Sequence, residues 1–282
     1  MRLLTMPRLS IIIVTYNSRA DLDRCLESLT AHPPAVDHEV VVIDNASGDG
    51  TAQHARTRWP AVHVLDAGGN LGFAKANNLG IRQTFGELVL LLNPDTVVPG
   101  DAIDTLVGVL DINPDAAIVG PRLVDARGRA ELSFGAMISP FAELRQKLLV
   151  RGNDRGWPLA TGIVTWLTRR PRRVDWVSGA CLLIRRADLE AVGLLDERYF
   201  MYAEDVDLCA AVRARGRAVL FAPHAHVVHL RGRSVASAAS ATAAAYRRSQ
   251  IAFYEKHHPA WVPLLKGYLR LTRKMPPARR DQ

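Results

Sequence analysis

The stretch RLSIIIVTYN, residues 8–17, is a continuously apolar and largely β-branched run that ends in Thr15, Tyr16 and Asn17. Such a run predicts a strand that is buried on both faces. The next segment, residues 20–32, carries apolar side chains at helical spacing. The chain therefore begins with a strand followed by a helix.

The same alternation continues along the next part of the chain. HEVVVIDNASGDGT, residues 38–51, predicts a second buried strand that breaks at Asp44 and Asn45, and a third, short strand leads to a glycine-flanked loop containing Asn70. ELVLLLNPD, residues 87–95, is the fourth strand. Buried strands that alternate with helices predict a mostly parallel sheet covered on both sides. Such sheets bind ligands at the carboxyl ends of their strands, so we expect these polar segments to meet in one crevice.

Length and composition exclude several classes of protein. With 282 residues and 48% hydrophobic content, the chain can form one large domain or two fused half-domains, and disorder is not expected. No stretch approaches the roughly 20 apolar residues of a membrane span, and the first residues run into a strand without a signal-peptide pattern, so a cytoplasmic location is expected. Cys25, Cys181 and Cys209 have apolar neighbours, which predicts buried thiols rather than disulfides or a metal cluster.

The net charge of +8 is concentrated in a few segments. Two of them, PLATGIVTWLTRRPRR (158–173) and WVPLLKGYLRLTRK (261–274), mix Trp and Leu with Arg and Lys. This mixture is typical of segments that lie on a membrane surface, but a solvated basic face over packing helices is an equal alternative. No nucleic-acid-binding signature is present, so nucleic acid is not an expected partner. The further basic positions are Arg145, Lys147 and Arg151 in the irregular region 130–173, and Arg279 and Arg280 beyond the second segment.

Asn93, Pro94 and Asp95 place two oxygen-bearing side chains directly after the fourth strand. Mg²⁺ and Mn²⁺ prefer oxygen ligands and commonly use only one or two protein carboxylates beside substrate phosphates. A plain Asn-Pro-Asp turn is the alternative interpretation of the same three residues. The motif therefore depends on support from elsewhere in the chain.

Two further groups offer that support. Glu204, Asp205 and Asp207 stand at the start of a predicted helix, where one acid is explained by capping and another could deprotonate an acceptor hydroxyl. HAHVVHLRGRS, residues 224–234, places His224 and His226 on one strand face and His229 on the other, so the three histidines cannot all reach one point without a bend or bulge in the strand. His229 could complete a metal shell, and the loop RGRS at its end could bind a diphosphate.

Taken together, these segments resemble the family 2 glycosyltransferases of GT-A fold, in particular the bacterial rhamnosyltransferase-like branch. The resemblance covers Leu9 to Ser234. It rests on seven strings in this order: SIIIVTYN, VVVIDNASGDGT, GNLGFAKANNLGI, LLLNPDTVVPG, VDWVSGACLLIRR, YFMYAEDVDL and HVVHLRGRS.

The resemblance implies a GT-A fold, with a Rossmann-like nucleotide-binding half fused to an acceptor-binding half and followed by C-terminal helices. We accordingly divide the chain into a nucleotide-sugar-binding half (1–125), an acceptor-binding and catalytic half (126–234) and a helical basic extension (235–282). By resemblance, Tyr16 stacks on the base and Asp44 accepts a hydrogen bond from a base N–H. The other residues implied to line the nucleotide pocket are Thr15, Asn17, Asn45, Asn70 and Asn93.

The resemblance also implies the residues of the reaction. The metal motif of the family is commonly Asp-x-Asp; here Asn93 stands at its first position, so a divalent cation, Mg²⁺ or Mn²⁺, is assigned to Asp95 and His229. Glu204 and Asp205 are implied to be catalytic as the Glu-Asp pair of the family, and Asp205 matches its general base. The acceptor and sugar pocket is implied to be formed by Trp176, Gly179 and Glu204.

The sequence therefore predicts a metal-dependent, inverting glycosyltransferase that acts at the membrane surface. Its leading donor is deoxythymidine-diphospho-L-rhamnose, and its acceptor is a glycan or polyprenyl-linked sugar of a cell-envelope polysaccharide. A nucleotidyltransferase of sugar-nucleotide metabolism is one alternative, but VTYNSRADL after the first strand is not a Gly-rich triphosphate loop. A non-catalytic glycan- or nucleotide-binding module is the other.

Overall fold

The computed structural model describes residues 6–230 and 239–277 of the chain. They form an α/β structure in which a mostly parallel central sheet is flanked by helices, which confirms the predicted fold class. The loop at residues 231–234, predicted to bind a diphosphate, and the basic residues Arg279 and Arg280 lie outside the described residues.

The strands follow the predicted alternation in the first half of the chain and become shorter in the second. In chain order they are β1 (Leu9–Thr15), β2 (His38–Asp44), β3 (His63–Asp66), β4 (Leu88–Leu92), β5 (Thr96–Val97), β6 (Ala116–Val124), β7 (Phe134–Gly135), β8 (Arg172–Val174), β9 (Trp176–Val177), β10 (Cys181–Arg185) and β11 (Ala218–His229).

The helices lie between these strands and at the end of the described chain. They are α1 (Arg19–Ala31), α2 (Thr51–Arg58), α3 (Gly72–Arg82), α4 (Ala102–Ile112), α5 (Pro140–Asp154), α6 (Pro158–Leu167), α7 (Arg186–Ala191), α8 (Glu204–Ala214), α9 (Ala239–His257) and α10 (Val262–Leu271). A single 3₁₀ turn, Pro259–Trp261, links α9 to α10, because Pro259 cannot continue an α-helical hydrogen-bond ladder.

The sheet has the strand order β3-β2-β1-β4-β10-β6-β11-β5, and β8 pairs with β11 beside β5. β3, β2, β1 and β4 are parallel, whereas β10 is antiparallel to both of its neighbours. Because β10 runs against β4, its first residue, Cys181, pairs with Leu92 at the carboxyl end of β4. The segment before β10 therefore lies at the same sheet edge as the polar ends of β1, β2 and β4.

Two hydrophobic clusters cover the two faces of this sheet. One packs α1, α2 and α4 against the sheet, and the other packs α3, α7 and α8 against the opposite face. Ile11 and Ile13 belong to the first cluster and Ile12 to the second, as expected when successive strand residues alternate between faces. The three cysteines are free and buried, as predicted.

Within the irregular region 130–173, α5 and α6 form a helical hairpin outside the main sheet, and the last two residues belong to β8. A third, smaller cluster joins this region to α8 and α9 through Tyr199, Val206, Phe253 and Tyr254. Within residues 6–230 and 239–277, no helix is both long and apolar enough to cross a membrane.

Candidate active site

The loops after β1 and β2 are fixed to each other at the edge of the sheet. Thr15 and Asp44, the last residues of the two strands, are register partners, and the Asn45 N–H donates to the Thr15 carbonyl at 2.8 Å. The buried Thr15 hydroxyl is 2.8 Å from that of Ser18, at the start of α1. Three of the predicted nucleotide-site residues thus form one rigid corner.

Asn17 and Tyr16 extend this corner toward solvent. The Asn17 backbone N–H donates to the Ser47 hydroxyl at 2.9 Å, and the Asn17 side chain accepts from the Gly48 N–H at 2.7 Å. These bonds stabilise Asn17 in the left-handed region, at φ 49°, where Asn is more readily accommodated than other non-glycine residues. Tyr16 is 46% exposed, which leaves its ring free to contact a ligand.

Of the two carboxylate oxygens of Asp44, one accepts a hydrogen bond and the other does not. Its Oδ2 accepts from the Ser47 N–H at 2.9 Å, whereas its Oδ1 is buried and has no hydrogen-bond partner within the described part of the chain. An unpaired buried oxygen is unusual and calls for an explanation such as a ligand, ion or water.

The loop before α3 is joined to both sides of the crevice. Asn45 donates to the Asn70 side chain at 3.1 Å and accepts from the Leu71 N–H at 2.8 Å. Gly72 follows in the left-handed region, at φ 80°, and a Cβ there would lie 2.3 Å from the Phe200 carbonyl oxygen. Only glycine permits this approach, which brings the Asn70 loop against the segment that precedes α8.

The Asn93–Asp95 turn lies beside this corner at the end of β4. The Asn93 N–H donates to the Ala180 carbonyl at 2.9 Å, and the Thr96 hydroxyl donates to the Asn93 carbonyl at 2.7 Å. The turn is therefore a genuine hydrogen-bonded turn. It also presents Asp95 toward β11, because Thr96 pairs with His229 and the Leu230 N–H donates to the Asp95 carbonyl at 2.8 Å.

Asp95 and His229 form the candidate metal pair. The His229 Nε2 is 3.4 Å from Asp95 Oδ1, and its Nδ1 is 3.3 Å from Glu131 Oε2. Burial lowers the pKa of the His229 imidazole, but the hydrogen bonds with Asp95 and Glu131 outweigh that effect and raise the pKa to about 9. His224 and His226 are exposed on the other face of β11, as predicted.

The side chains of Asp95 and His229 supply only part of the ligand set that a divalent cation needs. No group of three or more His, Cys, Asp and Glu side chains is arranged as a metal shell in residues 6–230 and 239–277. One carboxylate and one imidazole, oriented by the Glu131 contact, can supply two ligands, and phosphate oxygens and water can supply the rest. A metal ion binds the neutral imidazole, so binding would compete with protonation of His229. Asp95 and His229 therefore fit a cation that is shared with a phosphate ligand.

Asp205 lies in the first turn of α8. Its two oxygens accept hydrogen bonds from the backbone N–H groups of Gly179 and Val206, both at 2.8 Å. Burial raises the pKa of the Asp205 carboxyl despite these bonds. A Cβ at Gly179 would lie 3.2 Å from the Asp205 Cβ, so a small residue is favoured there.

Glu204 is more deeply buried than its neighbour. Burial, with a contribution from the Asp205 charge, raises the pKa of its carboxyl well above the ordinary value. Its Oε2 has no hydrogen-bond partner among the described residues. The two preceding residues, Tyr202 and Ala203, are both left-handed, at φ 71° and 70°, a costly backbone that is typical of functional sites.

A cavity of about 300 Å³, here called the acceptor cavity, opens onto Asp205. Trp176 also lines it, and its indole N–H donates to the Ala136 carbonyl at 2.9 Å. The structure thus brings Asp205 and Trp176 to one cavity. Glu204 does not line this cavity.

The polar end of the acceptor cavity was not predicted from the sequence. It is centred on Glu143 of α5, whose carboxylate accepts from Lys147 at 2.5 Å and from Gln250 at 2.7 Å. Tyr246 and Tyr254 of α9 also donate to Glu143. Burial opposes ionisation, but these donors lower the pKa of the Glu143 carboxyl. The sequence pattern gave no signal for this cluster, because Tyr246, Gln250 and Tyr254 follow Glu143 in the chain by 103, 107 and 111 residues.

Asp207, the third acid of the predicted cluster, has a different environment. Its buried carboxylate accepts from the Tyr199 hydroxyl at 3.2 Å and from Lys256 at 2.8 Å, and it is 2.6 Å from His257 Nε2. These contacts bind α9 to the helix that carries Asp205. Asp207 therefore fixes the position of α8 and does not face the acceptor cavity.

Comparisons with known proteins agree with this geometry. A family model described as "Glycosyl transferase family 2" matches residues 10–171. The chain is 34% identical to an N-acetylglucosaminyl-diphospho-decaprenol L-rhamnosyltransferase of Mycobacterium tuberculosis, over 93% of this chain and 91% of that protein. It is 25% identical to the rhamnosyltransferase WbbL of Escherichia coli, over 78% of this chain and 82% of that protein.

A solved structure with a similar fold is a mannosyltransferase from Pyrobaculum calidifontis in complex with GDP-Man and Mn²⁺. The TM-score is 0.60 at 19% identity, over 95% of this chain and 70% of that one. At this identity the likeness shows that the two chains share a fold.

Proposed function

The chain belongs to glycosyltransferase family 2, and from that premise we propose that it transfers L-rhamnose from deoxythymidine-diphospho-rhamnose to a polyprenyl-linked glycan acceptor. The observation that carries this proposal is the position of Asp205. Asp205 lines the acceptor cavity. Its carboxylate accepts a hydrogen bond from the Gly179 N–H. The next residue, Ala180, accepts a hydrogen bond from the N–H of Asn93, which is one of the predicted nucleotide-binding residues.

In the proposed reaction the nucleotide lies over the β1–β2 corner. The exposed Tyr16 ring stacks on the base, and the unpaired Asp44 Oδ1 accepts a hydrogen bond from a base N–H. Thr15, Asn17, Asn45 and Asn70 hold this corner rigid through the bonds described above, so little ordering is needed when the donor binds.

Asp205 acts as the general base. Its carboxylate takes the proton of an acceptor hydroxyl while that oxygen forms a bond to the anomeric carbon and the bond from this carbon to the nucleoside diphosphate breaks. Attack from the side opposite the leaving group inverts the anomeric configuration. A general base is most effective when its pKa lies near the operating pH. Burial raises the pKa of Asp205 toward that range and so favours this role.

Asp95 and His229 would hold a divalent cation, Mg²⁺ or Mn²⁺, at the diphosphate. When bound, the cation would neutralise the charge that develops on the departing diphosphate. Asn93, in place of a first aspartate, supplies no charge, so we expect the cation to bind mainly together with the nucleotide.

We also propose that the protein acts at a membrane surface. The outer surface of the α5–α6 hairpin and of α10 exposes large apolar side chains, here called the apolar face, and the Phe141 and Trp261 rings make an edge contact between the two parts at 6.5 Å. Several exposed large apolar side chains on neighbouring elements are typical of interaction sites. The members of the apolar face are Phe141, Leu144, Leu148, Leu159, Trp166, Trp261, Leu264, Tyr268 and Leu271.

We propose that the chain is divided by function and not by structure. Residues 1–125 bind the donor, residues 126–234 bind the acceptor, and residues 235–282 form an extension. Strands of both halves belong to one sheet, with β6 lying between β10 and β11. Residues of the extension, such as Gln250, line the acceptor cavity.

The proposal is tested by incubating the protein with a panel of nucleotide sugars and a prenyl-diphosphate-linked N-acetylglucosamine, with release of free nucleoside diphosphate as the readout. We expect turnover of deoxythymidine-diphospho-rhamnose that depends on the acceptor. Inorganic diphosphate formed from a nucleoside triphosphate and a sugar phosphate would instead identify a nucleotidyltransferase. Binding of nucleotide sugars without any turnover would identify a non-catalytic module.

A further inference from the structure

A second cavity, of about 660 Å³, lies between the α5–α6 hairpin and the strands β7 and β8. It is called the hairpin cavity here, and its volume is within the roughly 300–1,000 Å³ that is usual for ligand sites. It adjoins the acceptor cavity, because Leu132, Ala136 and Gln146 line both. Its other apolar lining residues are Phe134, Ala142, Leu149, Ile163, Leu167 and Val174.

The charged groups of the hairpin cavity are mainly basic. Asp175 is already paired with Arg213 at 2.7 Å, and Arg173 is paired with Asp115. Arg145 and Arg172 also line the cavity, and neither has an ion-pair partner in the part of the chain that the structure describes. The Arg172 guanidinium lies over the Phe134 ring at 5.5 Å, and its Nε is buried without a hydrogen-bond partner among the described residues.

This combination selects a particular ligand chemistry. Guanidinium groups bind phosphate oxygens through paired N–H donors, whereas leucine, isoleucine and phenylalanine side chains bind hydrocarbon. A ligand that satisfies both groups has an anion attached directly to an apolar chain. A free sugar has no apolar chain, and a nucleotide would not make use of an aliphatic lining of this extent.

We infer that the hairpin cavity binds the diphosphate and the first isoprenoid units of a polyprenyl-diphosphate-linked acceptor, while the acceptor sugar occupies the acceptor cavity. This inference rests on the proposed function and adds to it the place where the lipid end of the acceptor lies. Arg172 and Arg145 contact the diphosphate, and Ile163, Leu167 and Leu149 contact the isoprenoid.

The position of the hairpin supports the assignment. On α5, Ala142, Arg145 and Leu149 line the hairpin cavity, whereas Leu144 and Leu148 are exposed on the apolar face. On α5, the cavity-lining residues and the exposed apolar residues thus lie on two sides of the helix. The rest of the lipid chain can remain in the membrane while its diphosphate reaches the cavity and its sugar reaches Asp205.

The test is calorimetric titration of the full chain with farnesyl diphosphate, without any nucleotide sugar. We expect Arg172→Gln to weaken this binding at least tenfold, because it removes a charge-assisted contact. Ile163→Trp is expected to have a similar effect, because the larger side chain fills the cavity. The matched controls are Arg127→Gln, at an exposed turn, and Ile112→Trp, at the exposed end of α4, and both are expected to bind as the wild type does.

Titrations with two further ligands test each part of the inference separately. Inorganic diphosphate and farnesol are each expected to bind at least tenfold more weakly than farnesyl diphosphate. Equal binding of inorganic diphosphate would overturn the isoprenoid role, and equal binding of farnesol would overturn the role of the arginines. Wild-type affinity in both Arg172→Gln and Ile163→Trp would overturn the site itself.

Failure of this inference can be distinguished from failure of the proposed function. If nucleotide sugar is turned over but farnesyl diphosphate binding does not depend on Arg172 and Ile163, the lipid site alone is wrong. If farnesyl diphosphate binds as expected but no nucleotide sugar is turned over, the transferase activity is wrong. Binding of deoxythymidine diphosphate to each variant serves as the check that it is folded.

Discussion

The two sides of the proposed site are built in different ways: the donor edge, formed by the loops after β1, β2 and β4, and the acceptor side, formed by the acceptor cavity. Within the donor edge, the loops after β1 and β2 are near in sequence and are joined by contacts that mostly involve backbone groups, such as the bond between Asn17 and Ser47, 30 residues apart. On the acceptor side, side chains join distant helices, such as Glu143 and Gln250, 107 residues apart. A fixed backbone suits a constant nucleotide, whereas a side-chain surface can be altered for different acceptors without changing the fold.

The largest expected effect separates the two sides most clearly. Asp205→Asn is expected to reduce transfer by about 10²–10⁴-fold, the usual contribution of a general base. Binding of deoxythymidine diphosphate is expected to be unchanged, because the substitution lies on the acceptor side. Steady-state kinetics and calorimetry measure the two quantities, and Asp101→Asn, at an exposed position, is the control.

The same residue predicts a pH dependence. A base must be ionised, so kcat/KM of the wild type is expected to fall as the pH is lowered through the raised pKa of Asp205. The midpoint of this acid limb should lie above the ordinary aspartate value of about 3.9. A midpoint at or below that value would argue against Asp205 as the base.

The second prediction concerns the donor edge. Asp95→Ala is expected to weaken binding of deoxythymidine diphosphate in the presence of Mn²⁺ by about 100-fold or more, because loss of a direct ligand should cost at least the roughly 10–100-fold that loss of an outer partner costs. Without metal, the variant and the wild type are expected to bind alike. Calorimetry with and without Mn²⁺ measures both, with Asp154→Asn, an exposed residue at the end of α5, as the control. An unchanged affinity in Mn²⁺ would refute the metal role.

The sequence predicted the donor edge far better than the acceptor side. The β1, β2 and β4 strands and their terminal polar residues could be predicted because strand period, turn residues and chain order are local properties. Asp205 was also predicted, since its helix start is a local signal. Glu143 and Lys147 could not be recognised, because an acid four residues before a lysine on a helix is indistinguishable from an ordinary surface pair. Only the packing of α9 against α5 shows that they line a cavity.

A third, smaller effect is expected at the base-binding position. Tyr16→Ala is expected to weaken nucleotide binding about tenfold, within the roughly 1–3 kcal/mol that aromatic stacking on a base contributes. Tyr16→Phe retains the ring and is expected to bind as the wild type does. Equal losses in both variants would show that the hydroxyl, and not the ring, makes the contact.

The smallest expected effect is on the acceptor side. Glu143→Gln removes the charge that holds Lys147 and the α9 donors, and a severalfold increase in the acceptor KM is expected, with donor affinity unchanged. Glu255→Gln, which affects only an exposed pair with Lys266, is the matched control. A change in donor affinity without a change in acceptor KM would show that the two sides are not separable in this way.

The central claim is that the two sides form one site for direct transfer, and the anomeric configuration of the product tests it most directly. The measurement is nuclear magnetic resonance of the product formed from deoxythymidine-diphospho-rhamnose and a prenyl-diphosphate-linked N-acetylglucosamine, together with the amount of nucleoside diphosphate released. We predict an inverted configuration, with one nucleoside diphosphate released per sugar transferred and only when the acceptor is present. A retained configuration, or release at the same rate without the acceptor, would contradict direct transfer between the donor edge and Asp205.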